Sequence, residues 1–179
     1  MRYLSIFFML VICSPQTWAE VTSKELFKTI NERLSYMEDV ALFKAQKSLP
    51  IENIEREKVV LDQAKISAHI KGLDPAHIED FFNAQIAVAK AIQFRYRADL
   101  LSQPSVVKPK DLQKEVRPAL LDLGDQIIKQ IMAYIKTHGS IDSTLFSEFD
   151  SSINIKYVTT SDKKLLFGAL RKVKLLPVK

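Results

Sequence analysis

The chain has 179 residues with 26 Lys+Arg against 21 Asp+Glu, a net charge of +5, and those charges are interspersed without a long basic block, which argues against non-specific nucleic-acid binding. Four glycines, one cysteine and few alternating β-branched residues exclude a disulfide scaffold and a sheet-rich fold, and point to an all-α protein of about six helices.

Residues 1–19 read as a secretory signal and not as part of the fold. Arg2 supplies a short positive region, and Tyr3 to Cys13 form an apolar run too short to span a bilayer comfortably. Pro15 breaks that run, and Thr17-Trp18-Ala19 resembles a small-residue cleavage site. The alternative is an uncleaved amphipathic anchor. Ile12 is too bulky for a lipoprotein pattern at Cys13. Cleavage after Ala19 removes the only cysteine and the only tryptophan, and leaves residues 20–179 as one domain, of a length that suits a sizeable core.

The first helix of that domain is expected from about Ser23 to Lys47, with the Ser23 hydroxyl as its cap. Pro50 then forces an extended approach through Leu49. Asn53 is a plausible N-cap for a second helix running to Lys71, and Gly72 fits the left-handed residue beyond its end. Asp74-Pro75 starts a third helix, a capping side chain followed by proline at the first helical position, which continues to about Leu101. These three helices, residues 25–101, form one unit.

A loop from Ser102 to Pro109 carries two prolines and leads to a helical C-terminal half, residues 110–179. A fourth helix begins near Asp111, shows Val116, Leu120, Leu123, Ile127 and Ile131 on one face, and ends at Gly139. Pro118 near its front should kink it or mark a second start. A short helix is expected over Ser143 to Asp150 and a final amphipathic one over Ser161 to Lys174. The basic tail reads as a solvated face.

Several features that could carry chemistry do not. His69, His77 and His138 lack metal-ligand spacing, the isolated glycines form no phosphate loop, and no elbow motif places a nucleophile. Phe81-Phe82 reads as core packing. No cofactor or metal is expected.

The informative residues are polar ones on apolar faces. Leu26, Ile30, Arg33, Met37, Val40 and Lys44 follow at spacings of 4, 3, 4, 3 and 4, the repeat of a single helical face. Arg33 and Lys44 thus occupy positions where a core-facing helix should carry Leu or Val, about 16 Å apart along the axis. On the third helix Ile78, Phe82, Gln85, Ala89, Gln93 and Tyr96 likewise set two glutamines on or beside a packed face. Arg56 and Glu57 open the second helix near the point where the other two converge. Unpaired buried cations are prohibitive, so something anionic must meet them. Either Glu57, Glu38 and Asp39 neutralise them in an internal network, or they line a pocket for a small dianion.

The run Arg33, Lys44, Asn53, Arg56 and Glu57, followed by Gln93 on the third helix, resembles the all-helical (type II) chorismate mutases. The text LFKAQKSLPIENIEREKVVL and then HIEDFFNAQIAVAKAIQFR resembles their secreted, gamma-class branch, over about Leu26 to Leu101. The resemblance implies conversion of chorismate to prephenate by a pericyclic rearrangement with no covalent intermediate, which suits a chain offering no nucleophile. By that resemblance Arg33 and Arg56 grip carboxylates, Lys44 and Gln93 donate to the ether oxygen, and Glu57, helped by the Asn53 region, takes the ring hydroxyl. Family members often carry Asp at the place of Asn53. The secreted branch also draws an arginine from its C-terminal half; the register puts Gln126 there, with Arg117 and Lys129 as neighbours. The resemblance further implies a periplasmic or secreted homodimer with chorismate as its small-molecule substrate, free of nucleic acid and, after signal cleavage, of membrane. Two readings compete with it: a non-catalytic exported binding protein of the same fold, and a helical adaptor with an internal salt-bridge core.

Overall fold

The computed structural model describes residues 21–177; the expected signal segment lies outside the described residues. Among them the chain forms seven α-helices and no sheet. None of these helices is long and apolar enough to cross a membrane.

Helix α1 (Ser23–Ser35) is capped one residue earlier than expected. Thr22 accepts from the Glu25 amide while the Glu25 carboxylate accepts from the Thr22 amide, a reciprocal pair that leaves Ser23 free to donate to Glu148. The single first helix expected from the sequence is two. A turn at Tyr36 separates α1 from α2 (Met37–Gln46). Tyr36 keeps right-handed helical dihedrals, and the Val40 amide still donates to its carbonyl at 3.0 Å. The interruption therefore leaves the inward face in register, and Leu26, Ile30, Arg33, Met37 and Val40 are all buried.

After α2 the backbone turns through Ser48 at φ 53°, a left-handed conformation usually given to glycine at a helix end. Leu49 closes that turn by donating to the Lys44 carbonyl at 2.8 Å. Asn53 caps α3 (Ile54–Ile70), its side chain accepting from the Arg56 amide at 2.8 Å. Gly72, at φ 81°, ends it as expected. Asp74 caps α4 (Pro75–Ser102), with Pro75 at the head of a helix about 42 Å long.

A π-helical turn, Leu112–Val116, precedes α5 (Arg117–His138). Pro118 sits in the first turn of α5, where it has no amide to withhold from the ladder, so it marks a second start as its position suggested. The short helix is a 3₁₀ turn, Ser143–Leu145, running into α6 (Phe146–Ser152). The last helix, α7, spans Thr160–Leu170 and stops short of Lys174. Its start is fixed by a Thr159–Asp162 capping box, and Asp162 also pairs with Arg95 of α4. Beyond α7 the chain turns back onto the α3–α4 junction. Leu73 and Leu175 form an antiparallel bridge, Asp74 donates to the Lys174 carbonyl and Leu176 to that of Gly72, both at 2.9 Å.

One continuous core joins the two halves. It runs from Leu26, Phe27 and Ile30 through Phe81, Phe82 and Ile92 to Ile127, Ile131, Phe149 and Leu170. Phe27 meets Phe149 edge-on at 5.1 Å and Phe167 at 6.4 Å, which fastens α6 and α7 against α1. Helices α2, α3 and α5 are thereby held around the middle of α4, and the cavity lies among them.

Candidate active site

A cavity opens where α1–α2, α3, α4 and the start of α5 converge. Met37, Val40, Ile51, Val60, Ile86, Ala89, Leu112 and Leu120 give it apolar walls. Into this surround the fold brings Arg33, Lys44, Asn53, Arg56, Glu57, Lys90, Gln93 and Arg117. Every residue of the Arg33 to Gln93 set singled out in the sequence is therefore a lining residue of one cavity.

Arg33 is 5 % exposed. Its Nη1 donates to Gln85 Oε1 at 2.9 Å, its guanidinium lies 5.5 Å from the Phe82 ring centroid, and its Nε is buried without a partner. Burial, and then the charge of Arg56, pushes its pKa down to about 10. Lys44 donates to the Ile51 carbonyl and, at 3.2 Å, to Gln93 Oε1. Burial chiefly pulls its pKa below the usual lysine value; Glu57 opposes that, and Arg117 and Arg97 add to it. Arg56 is lowered by burial and by Arg117.

These shifts share one origin. Cations have been placed close together in a poorly solvated space, with too little negative charge to balance them. Among the described residues, none of the ion pairs includes Arg33, Lys44, Arg56 or Arg117. Of the carboxylates considered from the sequence, Glu57 pairs with Lys90 at 3.2 Å and Asp39 with Lys110 at 3.6 Å, and neither pairs with a member of this set. The internal salt-bridge network considered from the sequence does not form. What forms is a site with surplus positive charge, complementary to a small dianion.

Glu57 is the one carboxylate among the lining residues. Its Oε1 accepts from the Asn53 amide at 3.3 Å and its Oε2 faces Lys90. Asn53 is thus both the α3 cap and the backbone support for Glu57. Gln93 is buried; its amide nitrogen donates to the Ala89 carbonyl at 3.1 Å and contacts Met37 Sδ at 3.7 Å, while its oxygen receives Lys44.

Of the C-terminal residues weighed in the sequence, Arg117 lines the cavity, from the first turn of α5, with Nη1 donating to Gln113 Oε1 at 2.6 Å. Gln126 and Lys129, the other residues weighed for that place, are exposed farther along α5 and are not among the lining residues. Lys90 went unrecognised in the sequence, although it lies three residues before Gln93 and four after Ile86 on the same face of α4. A lysine there reads as an ordinary solvated one; in the fold it is salt-bridged to Glu52 and Glu57.

A second cavity lies behind the first and shares Arg33, Val60, Leu120 and Leu121 with it. Among the described residues no group of acidic, histidine or cysteine side chains could hold a metal ion.

The family model for chorismate mutase type II matches residues 20–94. A secreted chorismate mutase of Yersinia pestis is 41 % identical over 147 residues, which covers 82 % of this chain and 78 % of that protein. A monofunctional chorismate mutase of Enterobacter agglomerans is 36 % identical over 177 residues, 96 % of this chain and 97 % of that one. The crystal structure of the secreted chorismate mutase from Yersinia pestis matches with a TM-score of 0.79 at 39 % identity, covering 84 % of this chain and 97 % of that one.

Proposed function

The chain belongs to the chorismate mutase type II family and isomerises chorismate to prephenate, and on that premise we propose that the reaction takes place in the cavity lined by Arg33, Lys44, Arg56, Gln93 and Arg117. The observation that carries this is the convergence of four cations, Arg33, Lys44, Arg56 and Arg117, which have no ion-pair partner among the described residues, on one apolar-walled space.

The rearrangement breaks an ether C–O bond as a C–C bond forms within the same molecule, so no proton, electron or leaving group passes to the protein. Two tasks remain for the side chains. They must hold a flexible dicarboxylate in the compact conformation that brings the two carbons together, and they must stabilise charge that gathers on the ether oxygen as the bond breaks. Arg33 and Arg56 enter from α1 and α3, and their planar forks suit carboxylates. Arg117 adds charge from α5. Lys44 is held by the Ile51 carbonyl and Gln93 Oε1, so its third N–H is the donor aimed at the ether oxygen. Gln93 anchors that ammonium, and its own amide N–H reaches the oxygen by exchanging the Ala89 carbonyl for it. Glu57, set by the Asn53 amide and Lys90, receives the ring hydroxyl.

The assembly and address follow the same reading. Relatives named as secreted, together with the charge and apolar pattern of residues 1–19, support an exported enzyme that starts at or within two residues of Glu20, in the periplasm or beyond it. A homodimer is the proposed assembly. The direct test adds chorismate to purified protein spanning residues 20–179 and follows its loss and the appearance of prephenate. Folded protein that leaves chorismate untouched refutes the site assignment. Intact mass of material from the periplasm or medium tests the cleavage point.

A further inference from the structure

Gln85 is completely buried on α4, and the chemistry above makes no use of it. Its Oε1 accepts from Arg33 Nη1 at 2.9 Å, while its Nε2 has no hydrogen-bond partner among the described residues. A leucine or methionine would fill the same space without burying an unmatched donor, so packing alone does not account for an amide here. The orientation of the amide is set by Arg33, since turning it over would oppose two donors.

The arrangement recurs two turns along the same helix face. Gln93 Oε1 accepts from Lys44 Nζ at 3.2 Å. Helix α4 therefore presents two neutral acceptors, about 12 Å apart along its axis, to two cations about 16 Å apart on the α1–α2 face. A carboxylate at either place would hold its cation more firmly, but as an ion pair whose charge no longer faces the cavity. An apolar residue would leave the charge intact and the fork free to turn over the Phe82 ring.

We propose that Gln85 is a positioning residue for substrate affinity, fixing the Arg33 fork through a neutral acceptor so that the guanidinium is oriented while its full charge stays available to a substrate carboxylate. The inference rests on Arg33 gripping that carboxylate in the proposed site.

Steady-state kinetics with chorismate and thermal melts of wild type, Gln85→Met and Gln85→Glu test it. Wild-type turnover is measured first and stands or falls independently; an inactive folded wild type overturns the site assignment and this inference together. With an active wild type, Gln85→Glu should raise KM about tenfold or more with a smaller change in kcat, because it removes charge from the ground-state grip. Gln85→Met should raise KM by a smaller factor, about threefold, while melting no lower than wild type, since it removes an unmatched buried donor. If Gln85→Glu does not fold, Gln85→Met alone decides: raised KM without loss of melting temperature supports the assignment. KM within twofold of wild type in Gln85→Met, or kcat and KM that deteriorate in step with a lowered melting temperature, overturns it and makes Gln85 a core residue only.

Discussion

Lys44 Nζ lies 3.2 Å from Gln93 Oε1, so the amide presents its oxygen to the ammonium and its nitrogen to the Ala89 carbonyl. A glutamate in its place would, when ionised, form an ion pair with Lys44 and draw that charge away from the reacting oxygen. When protonated it would leave Lys44 as it is. The expected outcome is that Gln93→Glu loses kcat/KM as pH rises through the carboxyl pKa, whose free value is about 4.3, adjusted upward by burial and downward by Lys44. Wild type should stay flat from mildly acidic to mildly alkaline pH. It should then fall on the alkaline side below 10.5, because burial lowers the Lys44 pKa from that value and kcat/KM reports the free enzyme. Superimposable profiles for the two proteins would show that position 93 does not influence the reacting oxygen.

Arg33→Met, Lys44→Met and Arg56→Ala should each lower kcat/KM by about a hundredfold or more while leaving the melting temperature within a few degrees, about 1 kcal/mol. The folded-state pKa of each cation is lowered, so the charged form weighs against folding. That penalty is fully present below the folded pKa and fades as pH rises through it toward the unfolded value. Any stability gained by Lys44→Met at neutral pH should accordingly shrink in alkali. Thermal melts across pH alongside kinetics check both halves. Large stability losses in all three variants would mean that the cations are internal partners after all.

Arg117 and Gln126 can be separated by one comparison. Arg117→Gln should raise KM for chorismate severalfold, since it removes one of the cations acting on both Lys44 and Arg56. Gln126→Ala, at an exposed site away from the lining, should match wild type. Kinetics of the two variants reverse the assignment if the effects are exchanged.

A Cβ placed on Gly124 of α5 would stand 3.4 Å from Phe82 Cε1, and the Arg33 guanidinium lies over that ring at 5.5 Å from its centroid. Gly124→Ala should be close to neutral, a gain in helix propensity of about 1 kcal/mol offsetting the tight contact. Gly124→Leu should cost about 1–3 kcal/mol by overpacking and raise KM as the ring against the guanidinium is displaced. Denaturant melts with kinetics measure the pair; unchanged KM in a destabilised Gly124→Leu would disconnect Phe82 from the site.

Much of this was legible because the site interrupts a hydrophobic pattern. Arg33 and Lys44 stand out in an apolar stripe, and the stripe remains valid although the helix carrying it is interrupted, since Tyr36 keeps helical dihedrals and passes the register on. No glycine or proline marks that turn, which is why one helix was expected. The polar residues announced themselves singly but their partners did not. Nothing in the text says that Gln85 meets Arg33 and Gln93 meets Lys44, because pairing across helices depends on how α1–α2 lies against α4. Pro118 signalled a second start, but the π turn before it has no residue signature. Lys90 remained hidden because a single lysine on a helix reads as a surface residue, and its pairing with Glu52 and Glu57 depends on how α3 lies against α4.

The Leu73–Leu175 bridge brings an order of events to the molecule. Asp74 and Gly72 find their partners at Lys174 and Leu176, roughly a hundred residues later in the chain. A ribosome that has already released the whole Arg33–Gln93 set has still to make the segment that clasps the α3–α4 junction, a contact of high sequence separation. The helices that bear the Arg33–Gln93 set are complete long before their clasp exists, so final locking of the junction must wait for residues 174–176.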